Sequence, residues 1–229
     1  MRERYRHELK YVVDERTMSI CYERLKNFCQ LDGHTNEGRS YQIRSVYFDD
    51  YKDSYFYENE CGVDRRHKYR IRIYNHSEKY ISLEKKSKSR GMTLKKSVSI
   101  EKNMVDSLLH NIQTPYALNE CDGLLLEFML KREMELLKPV IIVQYERIPF
   151  IYNDGNVRVT LDKNISGSRD FEHFFKEDLL TRPIMETGNH VLEIKYDEFL
   201  PGFLQKQLNL GNLQRCSYSK YYLCRRFVK

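Results

Sequence analysis

Residues 67–74 read HKYRIRIY. Successive side chains of an extended chain point to opposite faces, so Lys68, Arg70 and Arg72 fall on one side and Tyr69, Ile71 and Ile73 on the other. This two-residue period recurs along the whole chain and constrains the fold more than any other feature. Arg4, Arg6, Glu8 and Lys10 oppose Tyr5, His7, Leu9 and Tyr11. Arg158, Thr160 and Asp162 oppose Val157, Val159 and Leu161, while Glu193 and Lys195 oppose Leu192, Ile194 and Tyr196. In 92–100, Thr93, Lys95, Ser97 and Ser99 share the polar face, with Lys96 on the side of Leu94 and Val98.

Similar segments at 41–49, 79–87 and 139–152 bring the expected strands to eight. Between them lie stretches with helical spacing. Met18, Cys21, Leu25 and Phe28 predict a helix over 14–30 with Asp14 as its cap, and further helices are expected at 101–112, 123–138, 202–209 and 217–227. Many alternating strands with a few helices imply an α+β fold, an antiparallel sheet curled or closed with helices outside. The turn-rich breaks, at 31–38 and 152–156, are short, so residues 1–229 are expected to form one unit. With 229 residues and 41% hydrophobic composition the chain can bury a substantial core. It has no apolar run long enough to span a membrane and no signal-peptide pattern, so a soluble, cytoplasmic protein is expected. Six cysteines without a CxxC pair argue against a zinc cage, and His7, His67, His76 and His190 lack metal-ligand spacing.

Half-buried antiparallel strands often turn a polar face to water, so alternation alone leaves two readings open. The composition of the charged face favours a ligand. Arg recurs at 6, 70, 72 and 158, and Arg is suited to bidentate contact with phosphate oxygens. Three Glu-x-Lys pairs, Glu8/Lys10, Glu84/Lys86 and Glu193/Lys195, fall within strands, where both charges share a face. Converging faces of this kind would supply cations for anionic oxygens and a carboxylate for a divalent metal, the requirements of triphosphate chemistry. There is no Walker-type glycine loop, so the work would fall to side chains.

The ordered set RHELKY, RSVYFDD, HKYRIRIY, SLEKKSK, YERIPF, VRVTLD, LEIKYD and SKYY resembles the VTC domain, the polyphosphate polymerase module of the vacuolar transporter chaperone family. That domain belongs to the triphosphate tunnel metalloenzyme (CYTH-like) superfamily. The resemblance implies strands closed into a tunnel lined by basic residues, with the C-terminal helix at its mouth. It also implies transfer of the terminal phosphoryl group of ATP to a growing inorganic polyphosphate chain with release of ADP, helped by a divalent metal, Mn2+ in preference to Mg2+. Carried over motif by motif, Arg70, Arg72, Lys86, Arg147 and Arg158 would act on the transferred phosphates. Lys10, Lys95, Lys195 and Lys220 would bind substrate, Glu8 and Glu84 would orient neighbouring lysines, and Glu193 would be the metal ligand. Lys96 is the alternative to Lys95. Glu8 and Glu84 have a second reading as ion pairs within the sheet, and Tyr47 and Asp49 are expected to serve packing and turn formation.

The implied partners are ATP and polyphosphate, with pyrophosphate as a primer and no nucleic acid. Any membrane step would need a separate partner, since the chain resembles a stand-alone bacterial form without a regulatory SPX domain. Two alternatives share the charged face: a metal-dependent triphosphatase that transfers to water, and a non-catalytic polyphosphate-binding module.

Overall fold

In the structure, a computed structural model describing residues 5–32, 40–110, 112, 121 and 123–228, alternation becomes pairing. Arg4 and most of the expected turn at 31–38 lie outside the described residues. The elements, in chain order, are β1 (His7–Asp14), α1 (Glu15–Leu25), β2 (Gln30–Leu31), β3 (Tyr41–Asp49), α2 (Ser54–Glu60), β4 (Arg66–Tyr74), β5 (Ser82–Ser89) and β6 (Met92–Ser99). They continue as α3 (Lys102–Leu109), α4 (Gly123–Glu135), β7 (Lys138–Tyr152), β8 (Val157–Ser168), β9 (Arg182–Pro183), β10 (Asn189–Tyr196), α5 (Gly202–Gln207) and α6 (Lys220–Phe227).

The strands form one antiparallel sheet in the order β1-β10-β8-β7-β3-β4-β5-β6, with β2 added to β7 and β9 to β8. The two ends of that path meet. Arg6, just ahead of β1, and Thr93 of β6 exchange two backbone hydrogen bonds of 2.9 Å each, so the curled sheet closes on itself at one bridge. The expected α+β tunnel is therefore present, with one backbone bridge among the described residues at its seam.

Closure gives the two faces different environments. Outward apolar residues of β3, β4 and β5, such as Val46, Ile71, Ile73 and Leu83, pack against Met104, Val105 and Leu108 of α3 and Phe128 and Met129 of α4. On the opposite side, Phe150, Val159, Leu161, Leu192 and Ile194 meet Met18, Cys21 and Leu25 of α1 and Leu204 of α5. Full burial of each such side chain stabilises by about 1.5–3 kcal/mol, so the helices hold the sheet curled from outside. The polar face is left inside.

Several boundaries differ from expectation. Asp14 does cap α1, accepting from the Thr17 N–H at 2.7 Å, but the helix stops at Leu25 because Gln30 and Leu31 pair with Ile151 and Phe150. Phe28, expected on the core face, is exposed as a result. Helix α2 has no strong period of its own and was not expected; its first N–H groups are capped from outside, Ser54 by Asp50 and Tyr55 and Phe56 by Asp49. Asp49 thus has the turn-forming role its sequence position suggests. Strand β5 begins at Ser82, and Tyr80, inside the expected strand, is exposed. No helix among the described residues is long and apolar enough to cross a membrane.

Candidate active site

The inner face encloses a cavity of about 680 Å³. Register explains how residues distant in sequence converge there. Glu8 lies opposite Lys195 and Lys10 opposite Glu193; Lys195 and Glu193 in turn face Arg158 and Thr160 of β8. Arg147 faces Asp162, Ser45 faces Arg72, Tyr47 faces Arg70, and Arg70 faces Glu84. Lys86 stands between Lys68 and Lys95. Across the seam, Lys86 Nζ donates to both oxygens of Glu8 at 2.9 Å, and the Thr93 hydroxyl donates to Glu8 at 3.1 Å.

All the cations singled out from the sequence line this cavity: Lys10, Arg70, Arg72, Lys86, Lys95, Arg147, Arg158, Lys195 and Lys220. Lys95 is the inward member of the Lys95/Lys96 pair, with its Nζ 3.1 Å from Glu84. Arg147 points inward too, although its strand neighbours Val143 and Tyr145 gave no such signal; Tyr145 itself lines the cavity. Between Gln144 and Glu146 the pairing to β8 shifts register, with Asn164 in the left-handed region at φ 53°, the geometry of a β-bulge. Arg158 stands at a rim, bonded to Asp32 at 2.6 Å and to the Tyr41 hydroxyl at 3.2 Å.

The carboxylates divide into two kinds. Glu8 and Glu193 face the cavity, and Lys10 Nζ lies 3.5 Å from one and 3.7 Å from the other. Lys195 is ion-paired with Glu193 and 4.0 Å from Glu8. Glu84 and Asp162 sit behind cations. Glu84 is bonded to Arg70 Nε at 2.7 Å, while Asp162 accepts Arg147 Nε at 2.6 Å and Nη2 at 2.7 Å and pairs with Lys220 Nζ at 2.7 Å. Glu84 therefore takes the within-sheet ion-pair role.

Asp162 is a residue the sequence placed on the polar face without a function. It joins β7 to α6 through two cations. Tyr47 is likewise more than packing, since its hydroxyl accepts from Arg70 Nη1 at 2.9 Å inside the cavity. Arg72 is held by Ser45 at 3.1 Å and by the Tyr145 hydroxyl at 3.2 Å. Lys10 also donates to the Tyr218 carbonyl at 3.0 Å, tying β1 to the segment that enters α6.

Electrostatics follow from burial against this charge. Burial alone would raise the Glu8 carboxyl, but the ammoniums of Lys10 and Lys86 hold it down at about 2. Glu193, also buried, is held well below the usual carboxylate range by Lys195 and Lys10. Burial brings the Lys195 ammonium down to about 8 despite Glu193 and Glu8. Both cavity carboxylates are thus ionised oxygen donors, which fits a hard divalent cation that takes one or two carboxylates and completes its shell with substrate phosphate and water. Among the described residues no group of three or more Asp, Glu, His or Cys is arranged as an all-protein cage.

Solved structures with the same fold are remote in sequence. A candidate adenylate cyclase from Bacillus halodurans superposes with a TM-score of 0.59 at 15% identity, over 100% of both chains. A candidate adenylyl cyclase from Hippeastrum, described as having a dominant triphosphatase activity, gives 0.57 at 14% identity over 98% of this chain and 96% of its own. The PH1819 protein of Pyrococcus horikoshii OT3 gives 0.50 at 16% identity, over 96% and 97%. No curated protein sequence matches the chain. The VTC domain profile matches residues 5–229, and with that extent of match on a basic tunnel the chain belongs to the VTC domain family.

Proposed function

We propose that the protein is a metal-dependent polyphosphate polymerase that transfers the terminal phosphoryl group of ATP to an inorganic polyphosphate chain and releases ADP. The supporting observation is the charge balance of the cavity: fourteen Lys and Arg side chains line it against two carboxylates, Glu8 and Glu193. A lining so poor in carboxylates suits a product that stays anionic and bound.

In this reading Arg70, Arg72, Arg147 and Lys220 hold the oxygens of the transferred group and its neighbours. Their own partners, Glu84, Ser45, Tyr145 and Asp162, fix them before substrate arrives, so little reorganisation accompanies the reaction. An oxygen of the chain's terminal phosphate attacks the γ-phosphorus while the bond to the β,γ-bridging oxygen breaks, and ADP departs with that oxygen. The attacking oxygen is already ionised near neutral pH, so no general base is needed; positioning and charge neutralisation suffice. Lys10 and Lys195 keep Glu193 and Glu8 ionised as the ligands of a divalent cation, Mn2+ in preference to Mg2+. When bound, the cation neutralises charge on the nucleotide phosphates. Pyrophosphate or a short chain would serve as first acceptor.

The test is incubation of the purified protein with ATP and manganese, read by gel for polyphosphate and separately for orthophosphate. ADP with long chains is the expected result. ADP with orthophosphate alone would make the protein a hydrolase on the same tunnel, and binding of polyphosphate without ATP turnover would make it a binding module.

A further inference from the structure

Arg66, Lys68 and Lys88 also line the cavity, on the rim formed by the start of β4 and the end of β5. Register sets Arg66 directly opposite Lys88 and Lys68 directly opposite Lys86. Like charges in such positions destabilise a sheet unless something neutralises them. Glu8 does so for Lys86. Among the described residues, no carboxylate lies within 4.0 Å of Arg66, Lys68 or Lys88. The contacts of Lys68 are neutral: Asn59 Oδ1 at 2.6 Å, Ser219 Oγ at 3.2 Å and the ring of Tyr221 at 4.5 Å. Arg66 donates to the Val63 carbonyl. Glu58, Asp49, Asp64 and Glu8 are the acidic groups facing this cluster, and all four stand beyond ion-pairing distance of Arg66, Lys68 and Lys88.

The cavity is therefore asymmetric. On the Arg158 rim the cation is already matched by Asp32, beside Tyr41. On the β4–β5 rim the cations are unmatched, and burial with repulsion from Lys86 and Arg66 holds the Lys68 ammonium below its ordinary range.

We propose that Arg66, Lys68 and Lys88 form an outer phosphate subsite, which holds phosphate groups of a linear polyphosphate beyond those that the inner cations hold. The inference rests on the reading of the cavity as phosphate-binding and adds chain length as what the rim selects. Strand alternation placed Lys68 on the charged face without giving it a role, and neither alternation nor the family resemblance singled out Arg66 or Lys88.

The test is calorimetric titration of the full protein, free of ATP and metal, with tripolyphosphate and with a long linear polyphosphate. Lys68→Met and Lys88→Met keep the aliphatic stem and remove the charge. Each is expected to weaken long-chain binding about tenfold, one charge-assisted contact, while changing tripolyphosphate affinity by less than about twofold. Ligand-free Lys68→Met should melt at or above wild type, because it removes repulsion. Equal losses for both ligands, unchanged long-chain affinity, or a lower melting temperature with both affinities reduced would overturn the subsite. Phosphoryl transfer takes no part in this measurement. Failure to make polyphosphate from ATP would sink the polymerase reading alone, and failure of wild type to bind tripolyphosphate would sink the phosphate reading of the whole cavity.

Discussion

Arg70, Arg72, Arg147 and Arg158 are each held by a partner, and that partner decides what a substitution reports. Removing Arg70 leaves Glu84, 1% exposed, with Arg72 at 3.9 Å and Lys95 at 3.1 Å. A buried carboxylate deprived of its main partner costs about 3–5 kcal/mol, so Arg70→Ala should lower the melting temperature as well as abolish turnover. Arg70→Ala with Glu84→Gln separates the two effects. The double variant should recover most of the thermal stability and none of the polyphosphate synthesis; regained synthesis would remove Arg70 from the substrate contacts. Glu193→Ala should abolish turnover and the response to manganese with the fold retained by circular dichroism, and unchanged activity would sink the metal assignment. The inward cations were legible in the sequence because a two-residue period fixes a face. The hub role of Asp162 was not, because its partners Arg147 and Lys220 come from other elements and only pairing and α6 docking bring them together. Tyr47 packs on Tyr221 as expected, and its further cross-strand bond to Arg70 was not legible for the same reason.

At the level of elements, α6 depends on one close approach. A Cβ at Gly167 would stand 2.9 Å from Val228 Cγ2 and 3.1 Å from Cys224 Cβ, so β8 admits the helix only because residue 167 has no side chain. Gly167→Ala should push α6 away from β8, cost about 1–3 kcal/mol as overpacking does, and carry Lys220 off Asp162. The kinetic signature should be a KM for ATP raised more than kcat is lowered, measured by ADP release; a pure stability loss with normal KM would mean that α6 does not position Lys220. Arg44 does comparable work on the outside. Buried at 1% exposure, it donates to the carbonyls of Phe174 and Lys176 and to Gln144, fastening the segment after β8 to β3. Elements with their own period, such as α3 and the long strands, could be read from sequence. Helix α2 could not, since Asp49 and Asp50, which cap it, look like turn residues until the chain folds back over them.

For the molecule as a whole, alternation supplies faces and the Arg6–Thr93 bridge makes one of them an interior. Enclosing so many cations gives stability and affinity opposite responses to pH. Glu8, ionised to about 2 when folded against 4.5 unfolded, contributes stability that is present above 4.5 and lost as pH falls toward 2. Lys195 behaves in the reverse sense. Its folded value of about 8 lies below the unfolded 10.5, so between these limits the unfolded chain binds more protons and the ligand-free protein gains stability as pH rises. Over the same window the cavity loses a positive charge, and affinity for phosphate falls. The increase in melting temperature that tripolyphosphate produces should therefore shrink as pH rises through 8, while the melting temperature without ligand holds or climbs. Lys195→Met should flatten both trends, because the group that titrates is gone. A ligand-induced shift equally large on both sides of pH 8 in the wild type would show that Lys195 stays charged in the folded protein, and that Glu193 and Glu8 outweigh its burial.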